Sequence, residues 1–433
     1  MALSAASGSL TVPTVTGNQT ITGVGFQPKV VLFLAIPATA DGSVATAAQG
    51  FGVGVSSTNR RSSAAASRDN VASSDTAAGI DNSKCIYLMD YAATILCAAD
   101  LVSMDSDGFT LNWTTANGTQ YVVLYLALGG TDLTNVTTGQ FTERTATGNQ
   151  SVTGVGFAPD CLMLFAYRGT GTAPPSNSAA GDVRFRLGVG TAAGQWQLNG
   201  QSRNGQVAAI TNRYQRTNSI YSRINDAADS VAKEASLVSL DSDGFTLNYS
   251  VADTAAYYIF YVALKGASVG VTSFNQPTAT GNQSISGFGF TPKAVLLASF
   301  NAAAATTVQV HNRYSLGIGT SSSARGAIWS GDTDAADPMI CDSFLDRTKI
   351  IKLATEGTPT VDAEADLVSL DADGFTLNWT TVDATARQIL AFAIGQPADG
   401  GGGGGGESVG VSPYRLRHDL SGASRAGARG LAC

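Results

Sequence analysis

The sequence predicts an all-β protein: three tandem antiparallel β-sandwiches followed by an extended C-terminal peptide. Three observations lead there. One unit is written three times along the chain, its blocks alternate with the two-residue period of a strand, and no segment sustains a helical period.

The unit opens with TGNQTITGVGFQPKVVLF at Thr16–Phe33, TGNQSVTGVGFAPDCLMLF at Thr147–Phe165 and TGNQSISGFGFTPKAVLL at Thr280–Leu297. A Gly-rich block follows: FGVG from Phe51, LGVG from Leu187 and LGIG from Leu316. Next come LVSMDSDGFTLNWTT from Leu101, LVSLDSDGFTLNYSV from Leu237 and LVSLDADGFTLNWTT from Leu367. The unit closes with QYVVLYLALGG at Gln120, YYIFYVALKG at Tyr257 and RQILAFAIG at Arg387. Four blocks in fixed order divide the chain into sandwiches at 1–132, 133–267 and 268–397, each expected to hold seven or eight strands, with a tail at 398–433.

Phe109, Leu111 and Trp113 alternate with Thr110, Asn112 and Thr114, so one face of that strand is buried and the other wet. Phe109, Phe245 and Phe375 are the predicted core positions, with Trp113, Tyr249 and Trp379 on the same face. Asp105-Ser106-Asp107-Gly108 between two such runs reads as a tight hairpin turn. As a calcium loop it lacks the further carboxylates and the glutamate at the twelfth position. The closing strand is apolar on both faces: Tyr258, Phe260 and Val262 on one, Ile259, Tyr261 and Ala263 on the other. Its second face must therefore pack on another domain or subunit. A ring of three fused copies would supply that cover, and so would a string within a larger homo-oligomer. The divergence between copies favours the string.

Composition narrows the function. A net charge of -7 argues against a general nucleic-acid binder. No window reaches about 18 apolar residues, so no membrane span is expected, and MALSAASGSL lacks the basic and apolar regions of a secretory signal. The five cysteines are scattered without a CxxC pair, so no metal site and no cofactor are expected. With only His311 and His418 present, a Ser-His-Asp triad is not expected, and the chain reads as a non-enzyme.

What differs between copies is the stretch between the Gly-rich and LVS blocks. It holds Arg60, Arg61 and Arg68 in the first copy, Trp196, Arg203, Arg213, Tyr214 and Arg216 in the second, and Arg325, Trp329 and Asp332 in the third. Arginine, aromatic and amide groups on loops over a rigid scaffold suit recognition. Arg60, Arg61, Trp196, Arg203, Arg325 and Trp329 are the candidate ligand contacts; ordinary surface or inter-subunit packing is the competing reading.

The tail begins with seven glycines, Gly400–Gly406, a flexible spacer. Beyond it Arg415, Arg417, Arg425 and Arg429 face only Glu407 and Asp419. Tyr414, Arg415, Leu416 and Arg417 form a candidate docking peptide that orders on a partner.

The Gly-Phe-x-Pro-Lys-hydrophobic run and the GFTLNWTT…LALG ending resemble the tandem β-sandwich domains of tailed-bacteriophage virion proteins and, less closely, the H-type lectin domain. The matching positions are Phe26, Pro28, Gly108, Phe109, Ala127 and Gly129 with their counterparts in the other copies; all are structural, and no sugar-contacting residue carries over. The resemblance implies a jelly-roll or lectin-like sandwich in a virion assembled in the host cytoplasm. It implies other virion proteins as partners through the tail, a homo-oligomer, and host surface glycan as ligand. The expected role is a tail-fibre or baseplate component, with a capsid decoration or head-fibre protein as the alternative.

Overall fold

The computed structural model describes residues 2–225, 229–357 and 359–397. Among them there is no helix, and all three repeats are built from antiparallel strands, as the alternation predicts. The first repeat runs β1 (Leu3–Thr11), β2 (Gly17–Ile21), β3 (Pro28–Ala35), β4 (Gly42–Val44), β5 (Ala47–Gly54), β6 (Arg60–Ser67), β7 (Thr76–Asp81), β8 (Ile86–Met89), β9 (Ile95–Asp105), β10 (Gly108–Ala116) and β11 (Val122–Gly130). That is eleven strands rather than seven or eight, because the divergent stretch is itself strand.

Each repeat makes two sheets. In the first, β1-β11-β3-β5-β6-β7 forms the large sheet and β2-β10-β9-β8 the small one. The seventh strand of the large sheet comes from the next repeat: Ser176–Ser178 pairs with Ala78, Gly79 and Ile80 of β7. In the same way Gln309–Val310 of the third repeat pairs with Asn212 and Arg213 of the second. Finally β4 of the first repeat pairs with Ser343, Phe344 and Leu345 of the third. The three donations form a closed cycle, so the described residues of the three repeats make one compact unit.

This closed ring replaces the string that the divergence between copies favoured. The donor strands are two or three residues long, too short to show a period.

Every large sheet is buried on both faces. One face packs on its own small sheet; in the first repeat Val31, Phe33 and Val123 meet Phe109, Leu111 and Trp113. The other face points to the ring axis, where Leu32, Phe51, Phe165, Phe260, Leu316 and Phe392 of the three repeats share one continuous core. The two-sided closing strands are thereby explained. Phe260, Val262 and Leu264 face the axis, whereas Ile259, Tyr261 and Ala263 face the second repeat's small sheet. Phe109, Phe245 and Phe375 are fully buried, as are Trp113, Tyr249 and Trp379.

The repeated turn motif has a structural task. Asp107 accepts the backbone N–H of Gly23 at 2.9 Å and of Gly25 at 2.7 Å, both glycines being in the left-handed region. Those two bonds hold its carboxyl below the usual carboxylate range. Asp243 and Asp373 clamp the matching glycines of the other repeats. Asp105 is occupied in turn by the hydroxyls of Ser103 and Thr110, both at 2.7 Å. The motif closes a hairpin and fastens a neighbouring loop.

Candidate ligand cleft between the second and third repeats

The six sequence-predicted contacts do not converge. Arg60 pairs with Asp100 at 3.5 Å and reaches the Leu101 carbonyl at 3.4 Å. Arg325 repeats this with Asp366 at 3.1 Å and the Leu367 carbonyl at 3.4 Å. In the second repeat Gln195 stands at this position, exchanging bonds with the Leu237 backbone, and Ser236 replaces the aspartate. These side chains tie each large sheet to its small sheet.

Arg61 bonds the carbonyls of Arg60 and Asn82 and lies 5.8 Å from the centre of the Phe260 ring. Burial pulls its pKa down. Trp196 and Trp329 are buried, and Trp196 donates to the Ala391 carbonyl of the third repeat at 2.9 Å. Arg203 is partly buried, and its carbonyl accepts the Ser74 hydroxyl at 2.6 Å. The stretch that carries these residues forms the wall between repeats, so its aromatic side chains point into packing. Tyr414, Arg415, Leu416 and Arg417 lie outside the described residues.

At the ring axis the last residues of three equivalent strands meet. The Ser67 and Ser202 hydroxyls both donate to Asp332 Oδ2, joined by the Asn312 amide at 3.3 Å. Asp332 is fully buried, and burial pushes its carboxyl up to about 7 against the pull of these hydrogen bonds.

A second buried cluster belongs to the second repeat alone. Glu143, fully buried, lies 3.6 Å from Arg186, 3.4 Å from Arg223 and 3.8 Å from Lys233. It also accepts the Tyr221 hydroxyl. Asp253, more exposed, completes the set against Arg223 and Lys233. Val12 and Gln276 hold the corresponding strand-end position in the first and third repeats.

An open concavity lies where the second repeat meets the third. It measures about 570 Å³ and is walled by Gln215, Arg216 and Asn218 on one side and Thr306, Thr307 and Gln388 on the other. Local pairing creates it. The strand Thr211–Arg216 receives its donor partner only at Asn212 and Arg213, which leaves Tyr214–Arg216 facing the 302–307 loop. Gln215 is fixed by bonds to Gln388 Oε1 at 2.9 Å and from the Phe300 N–H at 3.0 Å. Arg216 is steadied by Asn218 at 3.0 Å and Glu234 at 3.7 Å.

A narrow recess beside the cleft shares Gln215, Ala305 and Thr307 with it and is lined further by Arg213 and Phe300. Burial lowers the Arg213 pKa to about 10, with Arg313 adding to the effect. The arrangement offers amide, hydroxyl and guanidinium groups on strands from two repeats, the chemistry that meets a polar, uncharged or anionic ligand. Arg213, Tyr214 and Arg216 stood in the divergent stretch. Gln215, Asn218, Thr306 and Gln388 were missed, and the run Asn301–Thr307, NAAAATT, was the available sign that this loop differs from its counterparts.

No family model and no curated protein matches the chain. Among solved structures, the fructofuranosidase from Schwanniomyces occidentalis complexed with fructose aligns at 8% identity over 88% of this chain and 96% of that one, with a TM-score of 0.14. At that score the alignment carries no argument.

Proposed function

We propose that this protein is a non-enzymatic virion component of a tailed bacteriophage, a tail-fibre or baseplate adhesin that binds host surface glycan in the cleft between its second and third repeats. The observation that carries the reading is the cleft itself, about 570 Å³ of amide-, hydroxyl- and guanidinium-walled space on a rigid β scaffold. Such walls match the hydroxyls of one or two sugar rings. The closed ring supports the same role, since one chain already supplies what a trimeric sandwich lectin assembles from three. Residues 398–433 are assigned to attachment: Tyr414 and Leu416 as apolar anchors, Arg415 and Arg417 against acidic groups of another virion protein. Higher assembly into a homo-oligomer would run through that peptide.

The test is retention of the full chain on purified host-envelope polysaccharide and on assembled capsids. Polysaccharide binding that falls at least tenfold in an Arg216→Ala, Asn218→Ala double variant is the expected result. Binding to capsids with none to polysaccharide would replace this reading with a capsid decoration role. A chain ending at Ala398 is expected to fold and to fail to join particles.

A further inference from the structure

We infer that residues 408–416 are a donor strand, which attaches the protein by adding antiparallel to an open sheet edge of another virion protein built on the same kind of sandwich. This rests on the attachment role assigned above to residues 398–433 and names the acceptor.

The first support is a fourth writing of the strand that opens each repeat. Residues 408–415 read SVGVSPYR, against SVGVTSFN at Ser268–Asn275. Four positions are identical, and Ser412 and Tyr414 stand for Thr272 and Phe274. The order is kept as well, since each segment follows a closing strand, Tyr258–Lys265 in one case and Gln388–Pro397 in the other. In all three repeats the TGNQ block begins five positions after the first strand ends. No TGNQ occurs in residues 416–433, so the tail carries a first strand without the block that follows it.

Strand register supplies a stricter check. Matching Ser408 to Ser268 brings Leu416 to Val12, Glu143 and Gln276, and Pro413 to Ser9, Gln140 and Ser273. The N–H groups of Val12, Glu143 and Gln276 donate across the sheet to the carbonyls of Tyr121, Tyr257 and Arg387, at 2.8, 2.9 and 2.8 Å. Those of Ser7 and Thr138 point off the sheet edge, to Thr320 Oγ1 at 3.1 Å and Asn59 Oδ1 at 3.2 Å. Pro413 falls on the parity of Ser7, where no N–H is needed for pairing, as a proline in an edge strand must. Tyr414 and Leu416 match Leu10 and Val12, which are buried against the small sheet. Arg415 matches the exposed Thr11, Thr142 and Asn275, which leaves its charge for acidic groups on the acceptor.

The ring indicates where the acceptor lies. Each of its three closing strands already has a first strand beside it, so a second copy offers no vacant place and a different protein must supply one. Ser412 also restricts what that protein carries. Gly8 and Gly139 lie against Tyr125 and Tyr261, where an added Cβ would meet the tyrosine at 2.6 and 2.3 Å, whereas Thr272 pairs with Ala391. The acceptor is therefore an antiparallel edge with a small residue of the Ala391 kind opposite Ser412. Main-chain bonds hold the added strand and the alternating side chains fix its register.

The test uses the full chain and particles assembled without it, co-sedimented and then transferred to heavy water. In the bound chain, amide exchange is expected to be at least tenfold slower at Gly410, Ser412, Tyr414 and Leu416 than at Val411 and Arg415. Ser412→Pro, which removes an inward N–H, should lower retention on particles at least tenfold, while Ala423→Pro, beyond the segment, should leave it unchanged. Uniform protection along 408–416, or retention that survives Ser412→Pro, overturns the donor strand and leaves the attachment role standing. Self-association of the full chain without particles, abolished by Ser412→Pro, would make a second copy the acceptor and overturn the choice of partner. If the full chain fails to sediment with particles, or a chain ending at Ala398 does so equally well, both readings fall.

Discussion

The Ser67 hydroxyl donates to Asp332 Oδ2 over 3.1 Å, joining the first and third repeats across 265 positions of sequence at the centre of the ring. The carboxylate that receives it is fully buried, and Cys341, which follows on the next strand, donates its thiol to the Ser67 carbonyl at 3.2 Å. A titratable group therefore sits where all three repeats are stitched together.

Stability should depend on pH through this group. The Asp332 pKa is raised from 3.8 to about 7, so between those values the folded chain holds a proton that the unfolded chain releases. The stabilisation is present in full below the unfolded value and is lost as pH rises through about 7. Denaturant unfolding of Asp332→Asn minus that of the unaltered chain should therefore grow with pH, by roughly 3–4 kcal/mol between pH 4 and 8. A difference flat across that range would contradict the buried titration.

Truncation of the repeated core phenylalanine should cost the same in each copy. Phe109, Phe245 and Phe375 are each fully buried. Phe→Ala at any one is expected to lose about 3–5 kcal/mol by chemical denaturation.

Glu143 is the counter-charge of a buried basic cluster, so its neutral isostere should be costly. Glu143→Gln leaves Arg223 and Lys233 facing Asp253 alone and takes the carboxylate away from Arg186. A loss of about 3–5 kcal/mol is expected. Gln276, the residue at this strand end in the third repeat, shows that an amide suits the backbone there, which confines the effect to charge.

The ring should tolerate moving its chain ends. Register makes Gly129, Lys265 and Gly395 equivalent, and likewise Ser4, Asn135 and Ser268. The covalent links between these points take six positions from Gly129 to Asn135 and three from Lys265 to Ser268. A chain in which Pro397 is followed directly by Ala2 would span Gly395 to Ser4 in five. Such a permutant, opened between Thr131 and Asp132, is expected to keep the native circular dichroism spectrum and a midpoint within a few degrees.

Where the sequence spoke clearly, it did so through repetition and period. The alternation of Phe109, Leu111 and Trp113 located a strand, its buried face and the hairpin before it. The two-sided closing strand announced that something must cover Phe260 and Val262. It did not announce that the cover was the other two repeats, because donors such as Gln309–Val310 carry no pattern. Trp196 and Arg60 were legible as unusual residues but not as wall and tie, since exposure depends on which edge the neighbouring repeat closes. The cleft was half legible: Arg213 and Arg216 lay in the divergent stretch, while Gln388 sits at the start of a closing strand whose block looked purely structural.

Covalent fusion changes what the ring axis can hold. In a trimer of identical subunits, whatever stands at the axis stands there three times. An aspartate at that position would bring three carboxylates into one dry space, and their mutual repulsion would force two or more to stay protonated or drive the subunits apart. Written as one chain, the same position is Ser67, Ser202 and Asp332, a single acid with two hydroxyls turned toward it. Each junction is likewise free to change alone, without a matching change being imposed on its two counterparts.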